Sequence, residues 1–119
     1  MIVRHADKRP RDMQPGVTHA VLAYGSDLML CEVNIDKGVI FPEHSHPHAQ
    51  TVYVITGTVR FTLGDEVYEF EAGDSCFLEP NVVHGLTALT DTRVLDAFSP
   101  VREDFLPFAP HPERTGAVT

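Results

Sequence analysis

Between residues 17 and 99 the chain keeps changing sides. Apolar and polar residues alternate in short runs, and most runs stop near glycine, proline or asparagine. In "DLMLCEVNID" the odd positions Met29, Cys31, Val33 and Ile35 are apolar, while Glu32, Asn34 and Asp36 alternate with them. Period two is the side-chain repeat of a β-strand with one buried face. "TVYVITG" and "TVRFTLG" are a β-branched-rich pair around Gly57; the second places Val59, Phe61 and Leu63 on one face and Arg60 and Thr62 on the other. "LGDE" at 63–66 carries a hairpin turn signal in Gly64-Asp65. "VYEFEAGDSCFLEPNVVHG" supplies two more short strands, broken at "EAGD" and "EPN", and "TRVLDAFSP" another, ended by Pro100. A helical turn is expected only at 101–106. Several short strands with regular turn signals predict an all-β sandwich or barrel.

A chain of 119 residues suffices for one hydrophobic core, hence one domain. Residues 1–16 are polar and interrupted by Pro10 and Pro15, so a loosely structured N-terminal arm is expected before a barrel over 17–106. Residues 107–119, with Pro107, Pro110 and Pro112, are expected to form an irregular tail. Nine Lys+Arg against 17 Asp+Glu leave a net charge of -8, which opposes binding to nucleic acid or an anionic membrane. An anionic small substrate would need a local arginine. The N-terminus lacks the apolar core of a signal peptide and no run approaches membrane-spanning length, so a cytoplasmic protein is expected. Cys31 and Cys76 sit in apolar strand-like stretches and are expected to be buried, reduced thiols.

Chemistry concentrates at "EHSHPHAQ", residues 43–50. A His-x-His pair on an extended strand puts His44 and His46 on one face, which suits chelation of one ion. Pro47 breaks the ladder, so the alternation does not carry through to His48 and Gln50. Gln50 opens the next run and can turn back toward the same ion; His84 can come alongside on an antiparallel return strand. Taken alone, one His-x-His fits a structural or surface role equally well.

The glycine spacing adds to this. "GVIFPEHSHPHAQTVYVITG", Gly38 to Gly57, resembles the first motif of the cupin superfamily, with Gln50 where that motif has a carboxylate. "GDSCFLEPNVVHG", Gly73 to Gly85, resembles the second, with Glu79 in place of the usual proline and Asn81 in place of glycine. Asn tolerates the positive φ that glycine serves there. The resemblance covers roughly residues 20 to 100. It implies a single-domain cupin, a small double-stranded β-helix or jelly-roll barrel, holding one divalent transition metal through His44, His46, Gln50 and His84. His48 is then a loop histidine. Such a ligand set is neutral, so the ion keeps its full charge and its strength as a Lewis acid. Mixed nitrogen and oxygen donors suit Ni, Zn, Mn, Fe or Co.

In "RVLDAFSPVREDF", period two places Val94, Asp96 and Phe98 on one face. An Asp there is costly unless paired or functional. It either faces solvent, pairs with Arg93 or Arg102, or transfers protons near the ion. Arg102 is a fork suited to a substrate carboxylate. Together "HSHPHAQ", "LEPNVVHGL" and "DAFSPVREDFL" are similar to the KdgF family of small cupins, which act in pectin and alginate degradation. That resemblance implies conversion of 4,5-unsaturated monouronates to the linear keto form, with Asp96, Phe98 and Arg102 lining the site. It also implies an anionic sugar as the small-molecule substrate and a homodimer. Two other readings stay open: an Fe(II) dioxygenase of a small chelating substrate, and a non-catalytic sugar- or metabolite-binding cupin.

Overall fold

A computed structural model describes residues 1–111. It contains ten strands: β1 Arg11–Gln14, β2 Val17–Tyr24, β3 Met29–Ile35, β4 Ile40–His44, β5 Ala49–Thr56, β6 Thr58–Leu63, β7 Glu66–Glu71, β8 Ser75–Leu78, β9 His84–Ala88 and β10 Thr92–Ser99. They form two antiparallel sheets, ordered β1-β2-β3-β10-β5-β8 and β4-β9-β6-β7. The core lies between them, built from inward residues such as Val33, Val54, Val59, Phe61, Leu78 and Val94. This is an all-β barrel, as the alternation predicts, of the jelly-roll kind that the resemblance implies, and the inward set in β3 is Met29, Cys31, Val33 and Ile35.

Several expectations change in detail. The N-terminal arm is not uniformly loose: it holds a short 3-10 turn at His5–Asp7, and Arg11–Gln14 pairs with β2 at the sheet edge. The local signal there is weak, and the partner strand supplies the missing hydrogen bonds. The runs flanking Gly57 do not pair with each other, because β5 belongs to the first sheet and β6 to the second. The hairpin at 63–66 does form, joining β6 and β7 through Gly64 at φ 59°. The helical turn is a 3-10 helix at Glu103–Phe108, later than expected. The tail expected from 107 on is partly this helix, and residues 112–119 lie outside the described residues.

Two local features position the site. First, β4 is an edge strand containing Pro42, and its register against β9 slips: Phe41 faces Leu86 but His44 faces His84. Three residues of β4 span two of β9, a bulge at Pro42–Glu43 that re-aims His44 onto the row of His84. Second, Gly85 lets the strands approach. A Cβ there would lie 2.8 Å from the Phe41 carbonyl oxygen and 3.1 Å from the Glu43 nitrogen.

Cys31, Asp96, Val52 and Cys76 occupy one row across β3, β10, β5 and β8. At about 4.8 Å per strand the two thiols are roughly 14 Å apart, too far to bridge. Both are free, as expected, but only Cys31 is fully buried, Cys76 being half-buried. Burial, helped by the nearby Asp96 carboxylate, pushes Cys31 up to about 12 and Cys76 to about 11.

Gly85→Ala is expected to cost about 1–3 kcal/mol through forced displacement of β4. Urea unfolding of the variant checks this.

Candidate metal centre and cavity

His44, His46 and His84 bring ring nitrogens within 4.8 Å of one another. His44 ends β4; His46 lies just past that strand, in the loop ahead of Pro47, rather than on it as the spacing suggested. The loop is tied down where the Asn81 N–H donates to the His46 carbonyl at 2.7 Å. Asn81 holds φ 69°, the positive value that its place in the motif requires.

Each imidazole has its Nδ1 on a backbone carbonyl: Pro42 for His44 at 2.8 Å, His48 for His46 at 3.0 Å, and Val82 for His84 at 2.9 Å. A carbonyl only accepts, so Nδ1 carries the proton and Nε2 is left with a lone pair. Burial lowers the pKa of both His46 and His84, favouring those neutral rings. His84 is further clamped by a parallel stack on Phe61 at 6.3 Å.

Gln50, on β5, is 7% exposed and lies directly across from Phe98 of β10. Its amide nitrogen donates to Asp96 Oδ1 at 3.1 Å, which turns its Oε1 toward His46 Nε2 at 2.9 Å. With Nδ1 protonated, that second contact joins two acceptors and has no proton to share. A cation among them removes the conflict, so the donor set fits one divalent ion held by three imidazoles and an amide oxygen. His48 stays outside this cluster, as expected, although its carbonyl orients His46.

The cluster opens into a cavity of about 320 Å³ between the sheets. Among the described residues that line it, Asp96 is the one carboxylate and Arg102 the one guanidinium. Asp96 does not pair with Arg93, which bonds Asn34 instead, nor directly with Arg102. Burial pushes its pKa up to about 6, against the pull of the Gln50 hydrogen bond and the Arg102 charge. Arg102 lies over the rings of Phe98 at 5.0 Å and Phe105 at 4.2 Å. Its Nε and Nη2 donate to the two oxygens of Asp104 at 3.0 and 2.9 Å, holding that carboxyl below its usual range. Nη1 is unused among the described residues. Phe98 is buried at 3% exposure and meets His46 edge-on at 5.8 Å.

Met13, Gln14, His19 and Phe105 also line the cavity and were not singled out from the sequence. For His19 a signal existed: it breaks the apolar side Val17, His19, Val21 of β2.

The cupin-domain family model matches residues 31–98. The pectin degradation protein KdgF of Dickeya dadantii (strain 3937) is 33% identical over 103 residues, spanning 84% of this chain and 94% of that protein. The chain belongs to the KdgF family of cupins. The structure of KdgF from Halomonas sp. superposes on this family member with a TM-score of 0.85 at 31% identity, covering 89% of this chain and 98% of that one. An RmlC-like cupin from Shewanella frigidimarina NCIMB 400 gives 0.84 at 31% identity, over 88% and 95%. A predicted oxalate decarboxylase from Thermotoga maritima, 19% identical at a TM-score of 0.74, shares the fold. Among the described residues of this KdgF-family chain, no helix is long and apolar enough to cross a membrane.

The raised pKa of Asp96 has a sign that can be tested. The native state holds this proton more tightly than the unfolded chain, whose value is 3.8. Its stabilising contribution is present at low pH and is lost as pH rises through about 6. In chelator-treated protein, raising pH from about 4 to 7 is expected to cost wild type about 2–3 kcal/mol more than Asp96→Asn. Urea titrations at both pH values measure the difference.

Proposed function

We propose that this protein is a metal-dependent enzyme that opens 4,5-unsaturated monouronates and converts them to the linear keto form. It would work in the cytoplasm, as a homodimer, on sugars released from pectin or alginate. The observation that carries this reading is the Gln50–Asp96 hydrogen bond. It couples a carboxylate with a pKa of about 6 to the amide that faces the imidazole cluster. The kinship with a pectin degradation protein over most of both chains supports the substrate class.

His44, His46, Gln50 and His84 would hold the ion, which would supply Lewis acidity when bound. The remaining work falls to the chain. Ring opening leaves an enol, and ketonisation moves one proton from its oxygen to the neighbouring carbon with no redox change. Asp96, on the cavity wall, would accept that hydroxyl proton and return one to carbon. A pKa near 6 keeps both directions accessible near neutral pH. The Gln50 N–H holds the carboxylate in place between transfers. Arg102 grips Asp104 with one edge of its fork, leaving the Nη1 edge for the substrate carboxylate. Phe98 gives the sugar ring a flat apolar wall.

The enol ultraviolet absorbance of an unsaturated galacturonate is expected to disappear rapidly with this protein, and chelation is expected to abolish the effect. Asp96→Asn should lower kcat by about 10²–10⁴-fold; full activity in that variant would remove Asp96 from the mechanism. Oxygen consumption in the same assay would instead identify an iron dioxygenase. Gln50→Glu adds a negative charge to the ion's surroundings and should lower kcat by about tenfold or more. Unchanged turnover there would show that the amide's neutrality does not matter.

A further inference from the structure

The cavity has a second polar feature, on its β2 wall, that the chemistry above does not use. His19 is 2% exposed, borders the cavity, and has no hydrogen-bond partner at either ring nitrogen. Directly across from it on β1 stands Arg11, whose Nε is also buried and unpartnered. Its guanidinium lies on Phe108 at 3.7 Å, and no carboxylate among the described residues pairs with it. A buried polar atom left without a partner is destabilising, so a ligand that supplies one is favoured. Three such atoms lie on facing residues of one strand pair.

His19 is placed to meet a ligand that reaches the metal centre. Its ring packs on Phe105 at 4.5 Å, Phe105 on Phe98 at 5.8 Å, and Phe98 on His46 at 5.8 Å. A molecule lying along Phe98 and Phe105 therefore has imidazoles at both ends. We propose that His19 is a specificity-determining residue that reads a hydroxyl group of the sugar acid bound in this cavity, through a hydrogen bond at one ring nitrogen. The ligand class rests on the function proposed above.

The choice of a hydroxyl follows from hydrogen-bond inventory. A neutral imidazole offers one donor and one acceptor on opposite sides of the ring, and a hydroxyl group can pair with either. A carboxylate accepts only, so it can pair with the protonated nitrogen alone. Burial and the charges of Arg11 and Arg102 outweigh Asp104 and lower the ring's pKa to about 4, so it is neutral across the physiological range.

The test compares two ring carboxylates by calorimetric titration of the protein as purified: D-galacturonate, and tetrahydropyran-2-carboxylate, which lacks the hydroxyl groups. Wild type is expected to prefer D-galacturonate by about tenfold. His19→Phe removes the nitrogens and keeps a planar ring. It is expected to cut the preference to about threefold or less while leaving affinity for the hydroxyl-free acid unchanged. His19→Gln, which keeps a donor and an acceptor, should retain most of the preference. If His19→Phe does not fold, His19→Leu makes the same comparison. A wild-type preference in the nitrogen-free variant overturns the proposal; so does equal weakening for both acids, or a wild type with no preference. Turnover in the same proteins separates the two readings. Uronate ketonisation with a preference indifferent to His19 sinks this inference alone. Hydroxyl-selective binding lost in His19→Phe without any turnover sinks the catalytic reading alone.

Discussion

The register between β5 and β10 governs everything the cavity contains. Pairing Phe98 with Gln50 puts Asp96 one inward step away on β10, within reach of the Gln50 amide. A slip by one residue would turn Asp96 and Phe98 to the outer face and separate them from Gln50. β10 is bonded on both sides, to β3 and β5, so two ladders hold that register. From it follow the direction of the amide oxygen and the unshared acceptor pair with His46.

The second sheet answers with its own alignment. There the bulge at Pro42–Glu43 and the absence of a side chain at Gly85 bring His44 opposite His84. The imidazoles are oriented by three backbone carbonyls rather than by carboxylates, so nothing in the first ring of contacts offsets a cation's charge. In a chain of net charge -8 the cavity wall carries, among the described residues, one carboxylate and one guanidinium. An anion entering meets a far less repulsive field than the composition suggests.

Much of this was legible beforehand because it rests on short-range rules. Strand faces follow period two, and the spacing of His44, His46, Gln50 and His84 reflects fixed strand and turn lengths. What stayed hidden depends on tertiary partners. Arg11–Gln14 has little strand character until β2 is beside it, and Arg102 shows no sign in the sequence of preferring Asp104. The two strands around Gly57 look like a hairpin locally, and only the closing of the barrel sends them to opposite sheets. His19 was readable as a break in an apolar row, but a single histidine gains meaning only once its neighbours are known.

The cysteines show what kind of donor this interior can offer. Both are held as protonated thiols, well apart, and neither lines the cavity. An ion that demands thiolate finds no rival seat inside the barrel, and an oxidant finds no thiolate to attack. The interior is thereby tuned toward borderline nitrogen and oxygen chemistry, with its sulfur kept chemically silent.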